Sequence, residues 1–147
     1  VEMLTALDTK AYRPFNMVLA DNTQAFWLRN RGAEVEAFPI PPGVTMVTAS
    51  DANDPNSKRI RHFLPLWQAA EAPDPDAEDW SEWEELLASR AHAPDGDAFD
   101  AMNIISNTGF GTSSSSIIAL PGVQWATRKP IWRFHTGRGT DWQLVPL

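Results

Sequence analysis

Cysteine is absent from the 147 residues of this chain. A disulfide framework, a thiolate zinc site and a cysteine nucleophile are therefore excluded from it. The absence fits a reducing compartment, and we expect a cytoplasmic protein. Long apolar runs are absent as well, since no stretch approaches the roughly 20 residues that a membrane-spanning helix requires. No basic-then-apolar leader opens the chain, so we expect neither a membrane span nor a signal peptide.

Basic residues are scarce in the middle of the chain. Between Glu71 and Asp100 there are 11 acidic residues and one basic residue, Arg90, in a chain whose formal net charge is −7. A polyanion would be repelled by this acidic block, because phosphate binding needs clustered Lys and Arg. The small cluster from Lys58 to Arg61 is interpreted as the solvated face of a helix. We therefore expect no nucleic-acid partner.

The hydrophobic content of 43%, with 7 Trp and 7 Phe, excludes a disordered chain. We predict a single domain over residues 1–147. Short apolar or alternating runs separated by turn residues predict about seven strands, grouped before and after two or three helices. The strands are predicted at 15–20, 24–28, 34–38, 44–48, 113–120, 131–134 and 142–145. This grouping indicates an α+β fold with antiparallel sheets.

Several elements carry finer expectations. The uninterrupted apolar run Phe15 to Ala20 predicts a strand that is buried on both faces. Ser57 is a predicted N-cap of an amphipathic helix, and Pro65 is expected to kink or divide that helix. Asp79 with Glu82 forms a pattern that resembles a capping box and predicts the start of a second helix.

A hydrolytic triad could be assembled from the serine run Ser113 to Ser116, His135 and one of several Asp residues. The chain lacks the Gly-x-Ser-x-Gly nucleophile elbow, because Gly111-Thr112-Ser113 has neither its spacing nor its closing glycine. We therefore favour the structural interpretation, in which these hydroxyls bond nearby backbone or water.

The glycine-rich stretch Thr108 to Thr112 could cradle a phosphate, because glycine lets backbone N–H groups approach an anion. It lacks a Walker lysine and leads into a strand, so we favour a tight turn with positive φ at Gly109 or Gly111. Ile104 and Ile105, just before it, are expected to be buried. The three histidines have no metal-ligand spacing, and we expect no metal and no cofactor.

Trp80 and Trp83 lie three residues apart on the predicted acidic helix. The favoured interpretation is that they pack against the sheet, as apolar helix stripes usually do. The alternative is an acidic, aromatic surface that receives a partner, which would be favoured if Trp80 were mostly exposed and Trp83 buried.

Four collinear segments resemble the C-terminal portion of the NRDE family, which is named for an Asn-Arg-Asp-Glu motif and includes the transport-and-Golgi-organisation proteins. The segments are RPFNMVLADNTQAFWLRN (13–30), IPPGVTMVTAS (40–50), SKRIRHFLPLW (57–67) and GFGTSSSSIIALP (109–121). The similarity is greatest to bacterial members. In the family's Gly-Thr-basic-Ser-Ser/Thr pattern, Gly111, Thr112, Ser114 and Ser115 match, whereas Ser113 replaces the basic residue.

The resemblance implies an N-terminal-nucleophile-hydrolase-like αββα sandwich, of which this chain would be one part. The family's N-terminal Cys and its Asn-Arg-Asp-Glu motif are not in this sequence, so the resemblance implies a missing N-terminal portion of the same protein as a partner. It also implies amide hydrolysis once that portion is present. The alternative is a non-catalytic ligand-binding or scaffold domain, with a trafficking or haem-handling role by family analogy.

Within these segments, we expect a small-molecule ligand of unknown identity to contact Asn22, Gly111, Thr112 and Ser114. No catalytic residue is assigned. Val1 offers neither a hydroxyl nor a thiol, so the chain by itself should not use an N-terminal-nucleophile mechanism. Strand edges left open by the missing portion should make this chain dimerise, exchange elements or aggregate.

Overall fold

The computed structural model describes residues 1–125, 127–137 and 141–147. Helices and two small antiparallel sheets make up an α+β chain, as predicted. The described residues form two compact units, Val1–Asp54 and Pro55–Leu147. The prediction of a single domain stays a prediction. No helix among the described residues is both long and apolar enough to cross a membrane.

Each unit contains one three-stranded sheet. The first unit has helix α1 (Glu2–Thr5) and strands β1 (Phe15–Ala20), β2 (Ala25–Asn30) and β3 (Val35–Pro39). The second has helices α2 (Lys58–Ala69) and α3 (Ser81–Ala88) and strands β4 (Ser114–Ala119), β5 (Ile131–Thr136) and β6 (Gln143–Val145). Short 3-10 turns cover Thr9–Ala11, Ala98–Asp100 and Val123–Trp125.

In the first unit the strand order is β1-β2-β3, with antiparallel neighbours. Strands β1 and β2 form a hairpin, and Asp21 shapes its turn by accepting hydrogen bonds from the backbone N–H groups of Thr23 at 2.7 Å and Gln24 at 3.0 Å. The central strand β2 supplies much of the core, since Leu28 is fully buried. This burial is expected of a strand with a neighbour on each side.

The predicted burial of β1 is wrong. The strand has the predicted bounds, but Met17, Val18 and Leu19 are 42%, 52% and 39% exposed. The reason is the position of β1 at the edge of its sheet, where β2 is its neighbour on one side. The apolar sequence of β1, which would suit the interior of a sheet, therefore lies at a sheet edge.

The predicted strand at 44–48 is also wrong, since this segment pairs with no strand that the structure describes. Side chains occupy its backbone groups instead. The amide Nδ2 of Asn16 donates to the carbonyl oxygens of Thr48 at 2.8 Å and Ser50 at 3.1 Å. The Met46 N–H donates to Asn53 Oδ1 at 2.8 Å. These bonds give the backbone an alternative to a sheet ladder.

In the second unit, Ser57 caps α2 as predicted, its side chain accepting from the Ile60 N–H. Helix α2 continues through Pro65, so the helix is not divided there, and a kink at Pro65 stays a prediction. Buried Ile60 and Phe63 anchor it, and tertiary packing of this apolar face offsets the donor that proline lacks. The sheet of this unit has the order β4-β5-β6, with β4 at one edge.

The predicted capping box at Asp79 and Glu82 is wrong. Helix α3 begins at Ser81, whose N–H and hydroxyl donate to Asp79 at 3.1 and 2.7 Å. Glu82 instead accepts from the backbone N–H of Glu71 at 2.8 Å. A capping box does form around the short turn after Asp97, where Asp100 is the reciprocal partner.

Trp80 packs as the favoured interpretation predicts, with the guanidinium of Arg133 on β5 5.3 Å from its ring centroid, whereas the ring contact that Trp83 makes among the described residues is with helix α2 and not with the sheet. Trp80 is 5% exposed, and the Trp83 ring makes an edge contact with Trp67 at 5.3 Å between centroids. Because Trp80 is buried, the condition for an aromatic docking surface on α3 is not met. The Trp83 indole N–H is buried without a hydrogen-bond partner among the described residues.

Candidate functional site

A groove of about 390 Å³ lies beside the start of β4 in the second unit. The glycine-rich bend forms much of its wall. The lining residues are Ile104, Ile105, Ser106, Gly109, Phe110, Gly111, Thr112, Ser113, Thr136 and Gly137. We refer to this as the β4 groove. Two of the predicted ligand-contacting residues, Gly111 and Thr112, therefore lie together in its wall.

Backbone geometry explains the glycines of the bend. Gly109 has φ +83°, which confirms the predicted positive φ at one of the two candidate positions. Gly111 is needed for a different reason: a Cβ there would lie 2.6 Å from the Ile104 carbonyl oxygen. The chain doubles back at this point through an isolated bridge between Ile105 and Gly111. Glycine at 111 thus allows two backbone segments to approach closely.

The hydroxyl of Thr112 closes the same turn. Its Oγ1 accepts from the Ile104 N–H at 2.9 Å and donates to the Met102 carbonyl oxygen at 3.2 Å. The Thr112 N–H in turn donates to the Ile104 carbonyl oxygen at 2.9 Å. Because the hydroxyl proton is already donated to Met102, Thr112 acts here as a clamp on the backbone of the bend.

The outer part of the β4 groove is apolar. Phe110 is 62% exposed and contacts the ring of Phe99, with 5.8 Å between centroids. Ile105 is 50% exposed, so its predicted burial is wrong, because it lies at the rim of the groove. None of the described lining residues carries an ionisable side chain. A phosphate would have no cation to neutralise it, which favours a tight turn and a neutral ligand over a phosphate cradle.

The other two predicted contact residues lie elsewhere. Ser114 is exposed at the first position of β4, opposite Thr136, and is not among the lining residues of the groove. Asn22 is exposed in the turn of the β1–β2 hairpin, in the first unit. A shared ligand contact by all four residues stays a prediction.

The serine run and His135 lie on paired strands but do not form a catalytic triad. Ser115 lies directly opposite His135 in the β4–β5 pairing. The His135 ring contacts the ring of Trp142 at 5.3 Å, and none of the described carboxylates is bonded to it. Ser116 accepts a hydrogen bond from the Trp132 indole N–H at 3.2 Å. A nucleophile, base and orienting carboxylate are not assembled among the described residues.

The first unit contains a charged cluster that sequence reasoning missed. The Arg29 guanidinium donates to Glu36 Oε2 at 2.6 and 3.0 Å and to Asp51 Oδ1 at 2.7 Å. It also lies 5.2 Å from the ring centroids of Trp27 and Phe38. The sequence pattern that could have identified this cluster is the β2–β3 register, because a hairpin of these strands places Arg29 opposite Glu36 and Trp27 opposite Phe38.

The charge cluster lowers the pKa of Asp51. The hydrogen bond from Arg29 is the main cause, and the charges of Arg29 and Arg31 act in the same direction. The pKa of Arg29 is raised by its bonds to Asp51 and Glu36. A cavity of about 350 Å³ adjoins this cluster. Two carboxylates already neutralise the two guanidinium groups, so the cluster is a structural connection between β2, β3 and the segment near Asp51.

The described part of the chain contains no group of three or more His, Cys, Asp or Glu residues that could hold a metal ion. No family model matches the chain, and neither a curated protein nor a solved structure matches it. The resemblance to the NRDE family stays a prediction.

Proposed function

We propose that this chain is the C-terminal portion of an NRDE-family protein and supplies a ligand-binding surface, while the N-terminal portion supplies any nucleophile. In this proposal the two portions together complete an N-terminal-nucleophile-hydrolase-like αββα sandwich. The ligand is a small molecule with an uncharged amide and an apolar body. The exposed apolar rim at Phe110 and Ile105 and the absence of charge among the described lining residues support an uncharged ligand with an apolar body, whereas the amide is what the NRDE resemblance implies.

The open edge of β4 beside the groove is the observation that carries the proposal. Strand β4 pairs with β5 on one side, and Ile118 on β4 is 61% exposed. The Gly137 N–H donates to the Ser113 carbonyl oxygen, so odd-numbered residues of β4 bond toward β5. The backbone groups of Ser114, Ser116 and Ile118 therefore point toward the open edge. A strand of the N-terminal portion could pair with them and complete one wall of the groove.

The contacts of Ser115, His135 and Thr112 support a ligand-positioning role for this chain, with the nucleophile supplied by the N-terminal portion. Ser115 and His135 are cross-strand neighbours, but His135 has no orienting carboxylate among the described residues. Thr112 is engaged in holding the bend. These contacts suit a surface that positions a ligand for a nucleophile from elsewhere. They equally support the second candidate, a non-catalytic ligand-binding or scaffold domain.

The test compares the 147-residue chain with the gene product that includes the N-terminal portion. Both are assayed against a panel of neutral acyl amides, and the N-terminal portion is tested for binding to the chain in trans. We expect no turnover by the chain alone, capture of the N-terminal portion, and turnover by the longer protein. Capture without turnover by the longer protein supports the second candidate.

A matched pair of variants locates the binding edge. Ile118→Pro removes an N–H that points away from β5, and proline is tolerated at such edge positions. It should abolish capture of the N-terminal portion, whereas Val18→Pro in β1 should leave capture intact. Turnover by the chain alone that is lost in Ser115→Ala would refute the proposal and establish a serine hydrolase.

A further inference from the structure

Strand β1 combines an apolar sequence with an exposed position. Its six residues include no charge and no proline, and Met17, Val18 and Leu19 are each at least 39% exposed. Natural edge strands are usually protected by charges, prolines or bulges. We infer that the free edge of β1 binds a second copy of the same strand, which makes a homodimer with a continuous six-stranded sheet. This inference is independent of the proposed function, which concerns β4.

Hydrogen bonding in the hairpin shows which groups of β1 are free. The Asp21 N–H donates to the Gln24 carbonyl oxygen at 3.0 Å, so these two residues form a hydrogen-bonded pair. Bonding alternates along antiparallel strands, so odd-numbered residues of β1 bond toward β2. The N–H and C=O groups of Asn16, Val18 and Ala20 therefore point outward and are available to a partner strand.

One antiparallel register suits these groups and the side chains together. With Met17 opposite its own copy on the two-fold axis, Asn16 of each chain lies opposite Val18 of the other. Those two pairs make four backbone hydrogen bonds, and the Ala20 N–H can donate to the Pro14 carbonyl oxygen in each copy. On the face that carries Met17, each Phe15 lies opposite Leu19 of the partner. A two-fold interface of this kind is self-complementary.

Charge complementarity selects this register over its neighbour. It places Arg13 opposite Asp21 of the other chain, twice by symmetry, just beyond the apolar residues. Arg13 is exposed and forms no ion pair with a residue that the structure describes. Hydrogen bonds from Thr23 and Gln24 lower the pKa of Asp21, which keeps its carboxyl ionised. The neighbouring register, with Val18 on the axis, places Phe15 opposite Asp21 and gains no ion pair.

Cysteine cross-linking tests the register directly, because the chain has no cysteine of its own. Met17→Cys places two thiols in a non-hydrogen-bonded pair, about 4.5 Å apart between Cα atoms, within the range of a disulfide. Mild oxidation should give a covalent dimer of twice the 16.3 kDa chain mass. Leu19→Cys is the matched control, since its two copies are separated by four residues, or about 13 Å along the strand.

Two further variants test the edge and the charges by sedimentation. Val18→Pro removes an outward N–H without removing a β1–β2 bond and should convert the dimer to a monomer with unchanged circular dichroism. Arg13→Glu should raise the dimer dissociation constant at least tenfold, whereas Arg90→Glu, with the same change in net charge, should leave it unchanged.

The cross-linking and sedimentation results each support or overturn the proposed dimer. Efficient cross-linking of Met17→Cys with none of Leu19→Cys supports the proposal. Cross-linking of Val18→Cys in preference to Met17→Cys would overturn the proposed register. A monomeric wild-type chain at high concentration, or equal cross-linking at positions 17 and 19, would overturn the inference altogether. In that case strand addition by another polypeptide becomes the explanation for the exposed edge.

Discussion

Replacement of Gly111 by alanine tests how the bend at the β4 groove is built. The new Cβ would lie 2.6 Å from the Ile104 carbonyl oxygen, whereas ordinary van der Waals contact begins at 3.4 Å. The two backbone segments must therefore separate by about 0.8 Å, the difference between these distances. A separation of that size stretches the 2.9 Å hydrogen bond from the Thr112 N–H to Ile104 beyond the normal range.

The free-energy cost of Gly111→Ala follows from these terms. The weakened hydrogen bond costs about 1 kcal/mol, and overpacking adds roughly 1–3 kcal/mol. Alanine restricts the unfolded chain and returns about 0.4–1 kcal/mol. The net destabilisation is about 2 kcal/mol, which lowers the Tm of a domain of this size by roughly 6–8 °C. Differential scanning calorimetry and urea unfolding measure both quantities.

Gly109→Ala is the internal control, because it probes backbone conformation without a clash. A Cβ at Gly109 meets nothing within 4 Å, but φ is +83°. Its cost should be about 1 kcal/mol, smaller than that of Gly111→Ala. An unchanged melting temperature for Gly111→Ala would refute the clash argument. If the same variant also lost binding of inorganic phosphate by calorimetry, the bend would be a phosphate cradle.

Two more outcomes can be measured by unfolding. Thr112→Val removes the acceptor of the Ile104 N–H and should destabilise the protein by about 1–3 kcal/mol. Thr112→Ser keeps the hydroxyl acceptor and should retain most of the stability. Equal free energies of unfolding for the two variants would exclude the clamp. The pKa of Asp51 is lowered in the folded state by Arg29, so its stabilising contribution is present above the unfolded pKa of about 3.9 and is lost as pH falls through the folded pKa. The stability difference between wild type and Asp51→Asn should therefore be constant near neutral pH and shrink as pH falls below about 3.9, and a difference that stays the same in acid would contradict this.

Local sequence was sufficient for much of the secondary structure. Short apolar or alternating runs bounded by turn residues predicted β1, β3 and β5, because side-chain pattern and turn chemistry act over a few residues. Ser57 identified the start of α2 for the same reason, since a cap bonds only to the next turn. The glycine-rich bend was also identifiable, and positive φ at Gly109 is a local property of the backbone.

Contacts between distant residues decided the rest. The apolar sequence of β1 predicts burial. The observed exposure of β1 depends on which strands lie beside it, and the hydrophobicity of β1 does not specify those neighbours. Asn16 holds the segment near Thr48 out of a sheet through bonds that span 32 residues. Gly111 is required by the approach of Ile104, a constraint that φ at residue 111 does not reveal. Sequence alone thus identified the six strands that form and the turn at Gly109, whereas tertiary structure decided that 44–48 forms no strand and which edges remain open, because pairing, burial and close approach depend on residues far apart in the chain.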